Sequence, residues 1–373
     1  MNYTINNNQS ALERSFGDEA PHCAECFINT SAVGTLTNYK EVVDINENYS
    51  FYDELKSVHY GLSKIDLLQV KDKLKKQKGF LNSSFIFDRI NKTSFPLSQI
   101  VISAYHSPER YYAEIQNRVN TLESIASQRD LKPVFMTLTL PSEFHRYKTT
   151  KNGKLVNNPK FNGTAPKESV KILTKMFAKL RQDRSLKELS KENRIYFRVN
   201  EPHKDGTPHT HILMFIPSDR IERVKKAYKR LYDSRANDIQ VITDNINNSV
   251  AYVMKYINKV LPLSKKKNLS EKERYLNAWY SKNRIVRFNS SKTLAPIGLY
   301  RLLHNKYSMF ALTKLVNTKA LNIFVTIDKN KIMEIFDGDE MIYARSDNYN
   351  LEIIGNNFSN SSQTNDSAIG MSA

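Results

Sequence analysis

The chain has 373 residues, a formal net charge of +18, two cysteines and 20 tyrosines. Two cysteines exclude a disulfide framework and point to a reducing compartment. No run approaches the roughly 18 apolar residues of a membrane helix, and the start of the chain lacks the apolar core of a signal peptide. The sequence therefore reads as cytoplasmic and non-membrane, with a polyanionic partner.

Residues 1–56 hold nine carboxylates against Arg14, Lys40 and Lys56, so the excess positive charge falls on the rest of the chain. This Asn-rich, acidic stretch lacks periodicity and is expected to be partly disordered. His22, Cys23 and Cys26 resemble half a zinc site, but no second cysteine pair exists to close it, so no metal is expected there. A helix is predicted from an N-cap at Ser63 to Gly79 as the residue that ends it. Ser107-Pro108-Glu109 opens another, with Tyr112, Ile115, Val119, Leu122 and Ile125 at helical spacing up to about Arg129. Residues 57–130 thus read as a mostly helical module.

Strands and helices then alternate. Val134–Pro141 reads as a strand stopped by proline, and residues 142–164 as a loop. Pro166 starts a helix with the stripe Val170, Leu173, Phe177 and Leu180. Strands are expected at Ile195–Asn200 and Thr207–Ile216, and a helix at Asp219–Ser234 with a basic outer face. A strand at Ile239–Thr243 and a helix at about Asn247–Val260 follow. The order β-α-β-β-α-β is that of a ferredoxin-like α+β fold, an antiparallel sheet backed by helices. Lys265, Lys266 and Lys267 form a basic run, and Arg284 and Arg287 a second basic cluster. Alternation over 321–327 and an Asp337-Gly338 turn signal predict a small C-terminal β element within 291–355. Residues 356–373 read as a disordered tail. No Gly-x-x-x-x-Gly-Lys-Ser/Thr sequence occurs, so a Walker-type ATPase module is excluded.

Two stretches carry chemistry. His209 and His211, two apart on a predicted strand, share one face and are suited to bind one divalent cation. A hairpin through Lys204–Thr207 would return Glu201 beside them as an oxygen ligand. On the helix ending at Val260, the residues Tyr252, Lys255, Tyr256 and Lys259 form one stripe separate from Val250, Val253, Ile257 and Val260. Phenols are poor nucleophiles at neutral pH, and the adjacent lysine charges are expected to favour phenolate and to offset charge on an attacked phosphate.

Together these stretches resemble a known family. Phe135-Met136-Thr137-Leu138-Thr139 resembles the first motif of rolling-circle replication initiators, Pro208-His209-Thr210-His211 their HUH motif, and Tyr252-Val-Met-Lys255-Tyr256-Ile-Asn-Lys259 their third motif in its two-tyrosine form. Asn158–Gly163, Arg198–His209, and Ala278-Trp279 with Arg284–Phe288 are similar to the bacteriophage replication gene A proteins. The resemblance covers about residues 131–290, the expected HUH endonuclease domain.

It implies a metal-dependent, site-specific DNA nicking and joining enzyme that initiates rolling-circle replication. Mg²⁺ or Mn²⁺ would be held by His209, His211 and Glu201, with His203 as the alternative third ligand. Tyr252 or Tyr256 would form a 5′-phosphotyrosine, with Lys255 stabilising the transition state. Lys259, Lys265, Lys266, Lys267, Arg284 and Arg287 would contact DNA. The implied partners are single-stranded or supercoiled origin DNA and the helicase and polymerase of a bacterial host. A two-tyrosine transposase, a non-catalytic DNA-binding regulator and an RNA-binding module on the same frame are the competing readings.

Overall fold

The computed structural model describes residues 3–5, 57–152, 155–233, 235–242, 246–264, 268–326, 332–345 and 349–353. Cys23, Cys26, Lys265–Lys267, Ile327 and residues 356–373 lie outside them, as does nearly all of 1–56. The exception is a short strand, β1 (Tyr3–Ile5). The described residues form two compact units. One runs up to Leu74 and from Val101 to Arg345; the other comprises Lys75–Ile100 with the strand Tyr349–Ile353.

The first long helix, α1 (Lys64–Ser83), begins as its sequence predicts. Asp66 N–H donates to Ser63 Oγ (3.2 Å), and Ser63 N–H donates to Asp66 Oδ2 (2.9 Å). Its end differs from expectation. The helix runs through Gly79, where a glycine costs about 1 kcal/mol relative to alanine, and continues past buried Leu81 to Ser83. A hairpin of β2 (Ser84–Asp88) and β3 (Thr93–Pro96) follows, inside the module expected to be mostly helical. With Tyr349–Ile353 as the outer partner of β2, it makes the three-stranded sheet of the smaller unit.

In the larger unit α2 (Pro108–Gln128) leads into β4 (Lys132–Thr139). The expected loop 142–164 contains a small ribbon, β5 (Tyr147–Thr149) with β6 (Leu155–Asn157). Then come α3 (Pro166–Arg181), β7 (Ile195–Pro202), β8 (Pro208–Ile216), α4 (Ile221–Leu231), β9 (Asp238–Val241), α5 (Ile246–Val260), α6 (Glu271–Asn283) and β10 (Phe288–Ser290). The five strands form one sheet in the order β10-β7-β8-β4-β9, each neighbouring pair antiparallel. β8 lies at its centre, as its unbroken burial requires.

Alternation assigns the two faces of the sheet. Val134, Met136 and Leu138 of β4 with Ile212, Met214 and Ile216 of β8 pack against Leu173, Phe177 and Leu180 of α3 and Val224 and Tyr228 of α4. Phe135, Phe197, Leu213 and Phe215 point the other way, onto Val119 and Leu122 of α2, Val253 and Ile257 of α5 and Trp279 of α6. The fold is therefore α+β and antiparallel, with helices on both faces. A second sheet, β1-β11-β12-β13, is built from β11 (Leu321–Thr326), β12 (Ile332–Asp337) and β13 (Glu340–Ala344). It shares a core with α7 (Ile297–Leu303) and α8 (Met309–Asn317). Gly338, at φ 59°, turns β12 into β13 where Asp337-Gly338 signalled a turn. No described helix is long and apolar enough to cross a membrane.

Candidate metal and tyrosine site

Register builds the site. β7 and β8 pair as a hairpin in which Glu201 lies directly opposite His209 and Val199 opposite His211. β4 adds Thr139 opposite His209 and Thr137 opposite His211. Glu201, His209 and His211 therefore project from one face, the face covered by α5. All three are buried, at 3%, 9% and 7% exposure.

The hairpin turn is braced from three sides. Gly206 N–H donates to the His203 carbonyl (2.9 Å) and His203 N–H to the Thr207 carbonyl (2.8 Å). Gly206 sits at φ 90°, and a Cβ there would fall 2.2 Å from the Tyr60 carbonyl oxygen, so no other residue fits. Tyr60 N–H donates to the Lys204 carbonyl (3.1 Å) and Trp279 Nε1–H to the Gly206 carbonyl (2.9 Å). Asp205 accepts from the backbone N–H and hydroxyl of Thr207, at 3.1 and 2.9 Å, and faces His145 Nδ1 at 3.0 Å. Burial raises the Asp205 carboxyl, but His145 and Thr207 more than offset it and hold it below its ordinary range. Burial likewise disfavours charge on His145, yet Asp205 pulls its imidazole above the usual value.

His209 Nε2 and His211 Nε2 lie 3.0 Å apart. That separation is the edge of an octahedron with bonds of about 2.1 Å. Glu201 Oε2 stands 3.5 Å from His211 Nε2 and 3.9 Å from His209 Nε2. That oxygen is buried and has no hydrogen-bond partner. The three ligand atoms lie within 4.8 Å of one another. Burial, reinforced by His203 and His211, keeps His209 well below the ordinary imidazole range, which favours a neutral ring with one nitrogen lone pair to offer. Burial opposes ionisation of Glu201, but His211 and Lys259 reverse the balance and keep it anionic. Thr137 Oγ1 engages His211 Nδ1 at 3.0 Å, which turns Nε2 toward the other ligands. Two imidazole nitrogens and an unpartnered carboxylate oxygen fit a divalent cation. His203 lies against His209 with ring centroids 4.1 Å apart and the planes tilted by 34°, but lies outside the converging group.

Both tyrosines come to this site. The Tyr256 ring lies 4.0 Å from the His211 ring, centroid to centroid, and stacks on Phe135 at 5.4 Å. Tyr252 meets the edge of Phe135 at 4.6 Å, and the Tyr256 hydroxyl lies 3.4 Å from that of Tyr252. Phe135 reaches them because it faces the same side of the sheet as His211. The expectation of a preformed phenolate is not met at Tyr256. Burial, the Tyr252 hydroxyl and the charge of Glu201 push its phenol up.

The basic residues separate. Lys259 reaches Glu201 Oε1 as an ion pair, rather than standing clear for DNA. Lys255 is exposed on the same helix. Arg284 is exposed and ends α6 in the left-handed conformation, at φ 50°. Arg287 departs from the expected DNA surface. It is 5% exposed, and its guanidinium donates to the Val260 carbonyl (3.2 Å) and to Asn277 Oδ1 (2.8 Å) between the rings of Tyr105 and Tyr280. Sequence reasoning missed His145 and Asp205, which brace the turn; the Asp-x-Thr spacing was the available signal for Asp205.

Residues 56–262 match the family described as bacteriophage replication gene A protein. The match begins well before residue 131, where the sequence resemblance was expected to begin, and so takes in α1 and α2. Of these, α2 packs on the same sheet face as the tyrosine helix α5. Among similar proteins are a probable replication protein P12 of Pseudoalteromonas phage PM2 (28% identity, covering 58% of this chain and 33% of that protein), the replication gene A protein of Escherichia phage 186 (33% identity, 39% and 22%), and a probable replication endonuclease from a prophage-like region of Salmonella typhi (28% identity, 60% and 29%). The matches span no more than 33% of any of these three relatives. No solved structure matches the chain significantly.

Proposed function

The chain belongs to the bacteriophage replication gene A protein family, and from that membership we propose that it is a site-specific single-strand DNA endonuclease and strand-transferase that initiates rolling-circle replication. The observation that carries the reading is the facing of two tyrosines and a Glu-His-His group across one sheet face, with Tyr256 against His211. The strand order β9-β4-β8-β7 supports the ferredoxin-like HUH frame, in which a strand lies between the two joined by the first helix.

Glu201, His209 and His211 would hold Mg²⁺ or Mn²⁺, which supplies Lewis acidity to a phosphate oxygen. One phenol attacks the scissile phosphate in line. The Tyr O–P bond forms as the P–O3′ bond breaks, the phenol proton leaves and the departing O3′ gains one. The product is a 5′-phosphotyrosine and a free 3′-OH able to prime synthesis. Burial, the Tyr252 hydroxyl and Glu201 all disfavour a free phenolate at Tyr256. Phe135 and His211 fix its ring, which contributes by orientation. Lys255, exposed on the tyrosine helix, is the residue we assign to charge building on the phosphorane. The second tyrosine, one helical turn away, can accept the next strand while the first still carries the old end. Origin DNA is the substrate, and strand separation falls to a host helicase working with a host polymerase.

The test is covalent capture. Incubated with Mn²⁺ and a labelled single-stranded origin oligonucleotide, the wild type should give an adduct that survives denaturation. Tyr252→Phe and Tyr256→Phe singly should each impair the full cycle, and the double variant should give no adduct. An adduct persisting in the double variant removes the nucleophile assignment.

A further inference from the structure

Three arginines cluster on the sheet face opposite the metal and tyrosine site. Glu201 and Val199 of β7 face α5, so Arg198 must face α3. Its guanidinium carbon lies 5.2 Å from the Phe177 ring centre and 5.9 Å from that of Tyr196. Arg181, at the end of α3, lies 5.2 and 5.4 Å from the same two rings. Arg194 joins them by donating through Nη1 to the carbonyls of Arg181 (3.1 Å) and Leu186 (3.0 Å).

No carboxylate pairs with these guanidinium groups at contact distance; the charge of Glu192 acts on Arg194 alone. Arg198 is only 9% exposed, and the buried Nε atoms of Arg198 and Arg181 have no hydrogen-bond partner. Among the described residues none of the three forms an ion pair, whereas Arg220, Arg230, Arg235 and Arg301 each do. Ring stacking does not make up the deficit. A cation over an aromatic face gains roughly 0.5–2 kcal/mol, but the guanidinium donors lie in its plane, and ring faces offer them no lone pair. A buried charge without a partner is costly, and the half-buried Arg181 beside Arg198 adds like-charge repulsion. Burial and the proximity of Arg181 hold Arg198 below the ordinary arginine range, the direction that clustering without a counter-ion gives.

We propose that Arg181, Arg194 and Arg198 form a phosphate-binding site on the face of the sheet away from the tyrosines, with the DNA backbone as its source of phosphate. The planar forks suit phosphate oxygens, and the +18 charge of the chain favours a polyanion over a free ion. The site goes beyond the nicking reading, none of whose steps uses these residues, and its test involves no cleavage.

Two measurements on the full chain test it, with Arg198→Gln as the variant. In thermal unfolding, inorganic phosphate should raise the midpoint of the wild type above that in chloride of equal ionic strength. Arg198→Gln should lose that rise and, without phosphate, be no less stable than the wild type, because it removes an uncompensated buried charge. In anisotropy with a labelled oligothymidylate, the variant should bind about 5–10-fold more weakly, with a log K against log salt slope shallower by about one. Arg235→Gln, an exposed and paired arginine, should change neither readout. Loss of the phosphate effect with wild-type oligonucleotide binding would overturn the assignment to the DNA backbone and leave a site for a free phosphate group. A wild type indifferent to phosphate, together with an Arg198→Gln chain that melts earlier, would overturn the proposal and make the cluster structural. Should Arg198→Gln not fold, Arg181→Gln carries the same two measurements.

Discussion

Glu201 keeps its charge through two neighbours, His211 and Lys259, against the penalty of burial. Replacing Lys259 by methionine leaves only one of them, so the Glu201 carboxyl should rise. A ligand carboxylate works only above its pKa; the acid-side loss of Mn²⁺ affinity should therefore begin at higher pH in Lys259→Met than in the wild type. At pH 8, where both carboxylates are ionised, the variant should bind Mn²⁺ at least as tightly, since no ammonium competes for Oε1. Calorimetric titration across pH checks this, and superimposable pH profiles would reject it. The turn offers a second prediction. His145 is raised by Asp205, so the stability it contributes is complete below the ordinary imidazole value of about 6.5 and is lost as pH climbs through its higher folded value. The stability gap between wild type and His145→Gln should thus be about 1 kcal/mol at pH 6 and shrink by pH 9; a gap that stays constant contradicts the pairing. At this scale the convergence of Glu201, His209 and His211 was legible, because a two-residue period and one hairpin suffice to bring them together. The burial of Arg287 was not. Its partners Tyr105, Val260, Asn277 and Tyr280 come from three separate segments, and a basic side chain in a sequence announces its charge but not its surroundings.

Two glycines separate what an element needs from what it tolerates. Gly206 turns at φ 90° against the Tyr60 carbonyl, and Gly206→Ala must both strain the backbone and push that carbonyl away. A loss on the order of 2–3 kcal/mol is expected, with Mn²⁺ affinity falling too, because the turn sets the hairpin register. Gly79, inside α1, leaves open space around the place an added methyl would occupy, with nothing within 4 Å. Gly79→Ala should stabilise by about 0.5–1 kcal/mol. Chemical denaturation of both variants reads the opposite signs; a destabilised Gly79→Ala would mean the helix ends there after all. Long amphipathic helices were legible from their stripes, as α3 shows with Leu173, Phe177 and Leu180 all buried. Short strands were not. β10 has three residues, too few for a period, and exists because Phe288–Ser290 pairs with the exposed edge of β7. The hairpin β2–β3 went unseen for the same reason, with four residues in its outer strand.

The charge of the whole molecule was plain in the sequence, and a steep fall of DNA affinity with salt is its expected consequence; the division of the chain was not, because the smaller unit joins residues 75–100 to a strand at 349–353 that no local pattern connects to them. That division gives the candidate metal site a signature of its own. Glu201, His209 and His211 all belong to the larger unit, and their convergence requires β7 and β8 to be paired, so the unfolded chain offers no equivalent site. A cation that binds only the folded form stabilises it by mass action, by about 2.7 kcal/mol at a hundred times its dissociation constant. Mn²⁺ should therefore raise the unfolding midpoint of the larger unit and slow amide exchange in β4, β7 and β8, while leaving exchange in β2 and β3 unchanged. His209→Ala with His211→Ala should remove the shift, whereas Tyr252→Phe with Tyr256→Phe should keep it, because the phenols lie outside the converging ligand group. A shift that survives loss of both histidines would place the cation elsewhere on the molecule and detach it from the tyrosines.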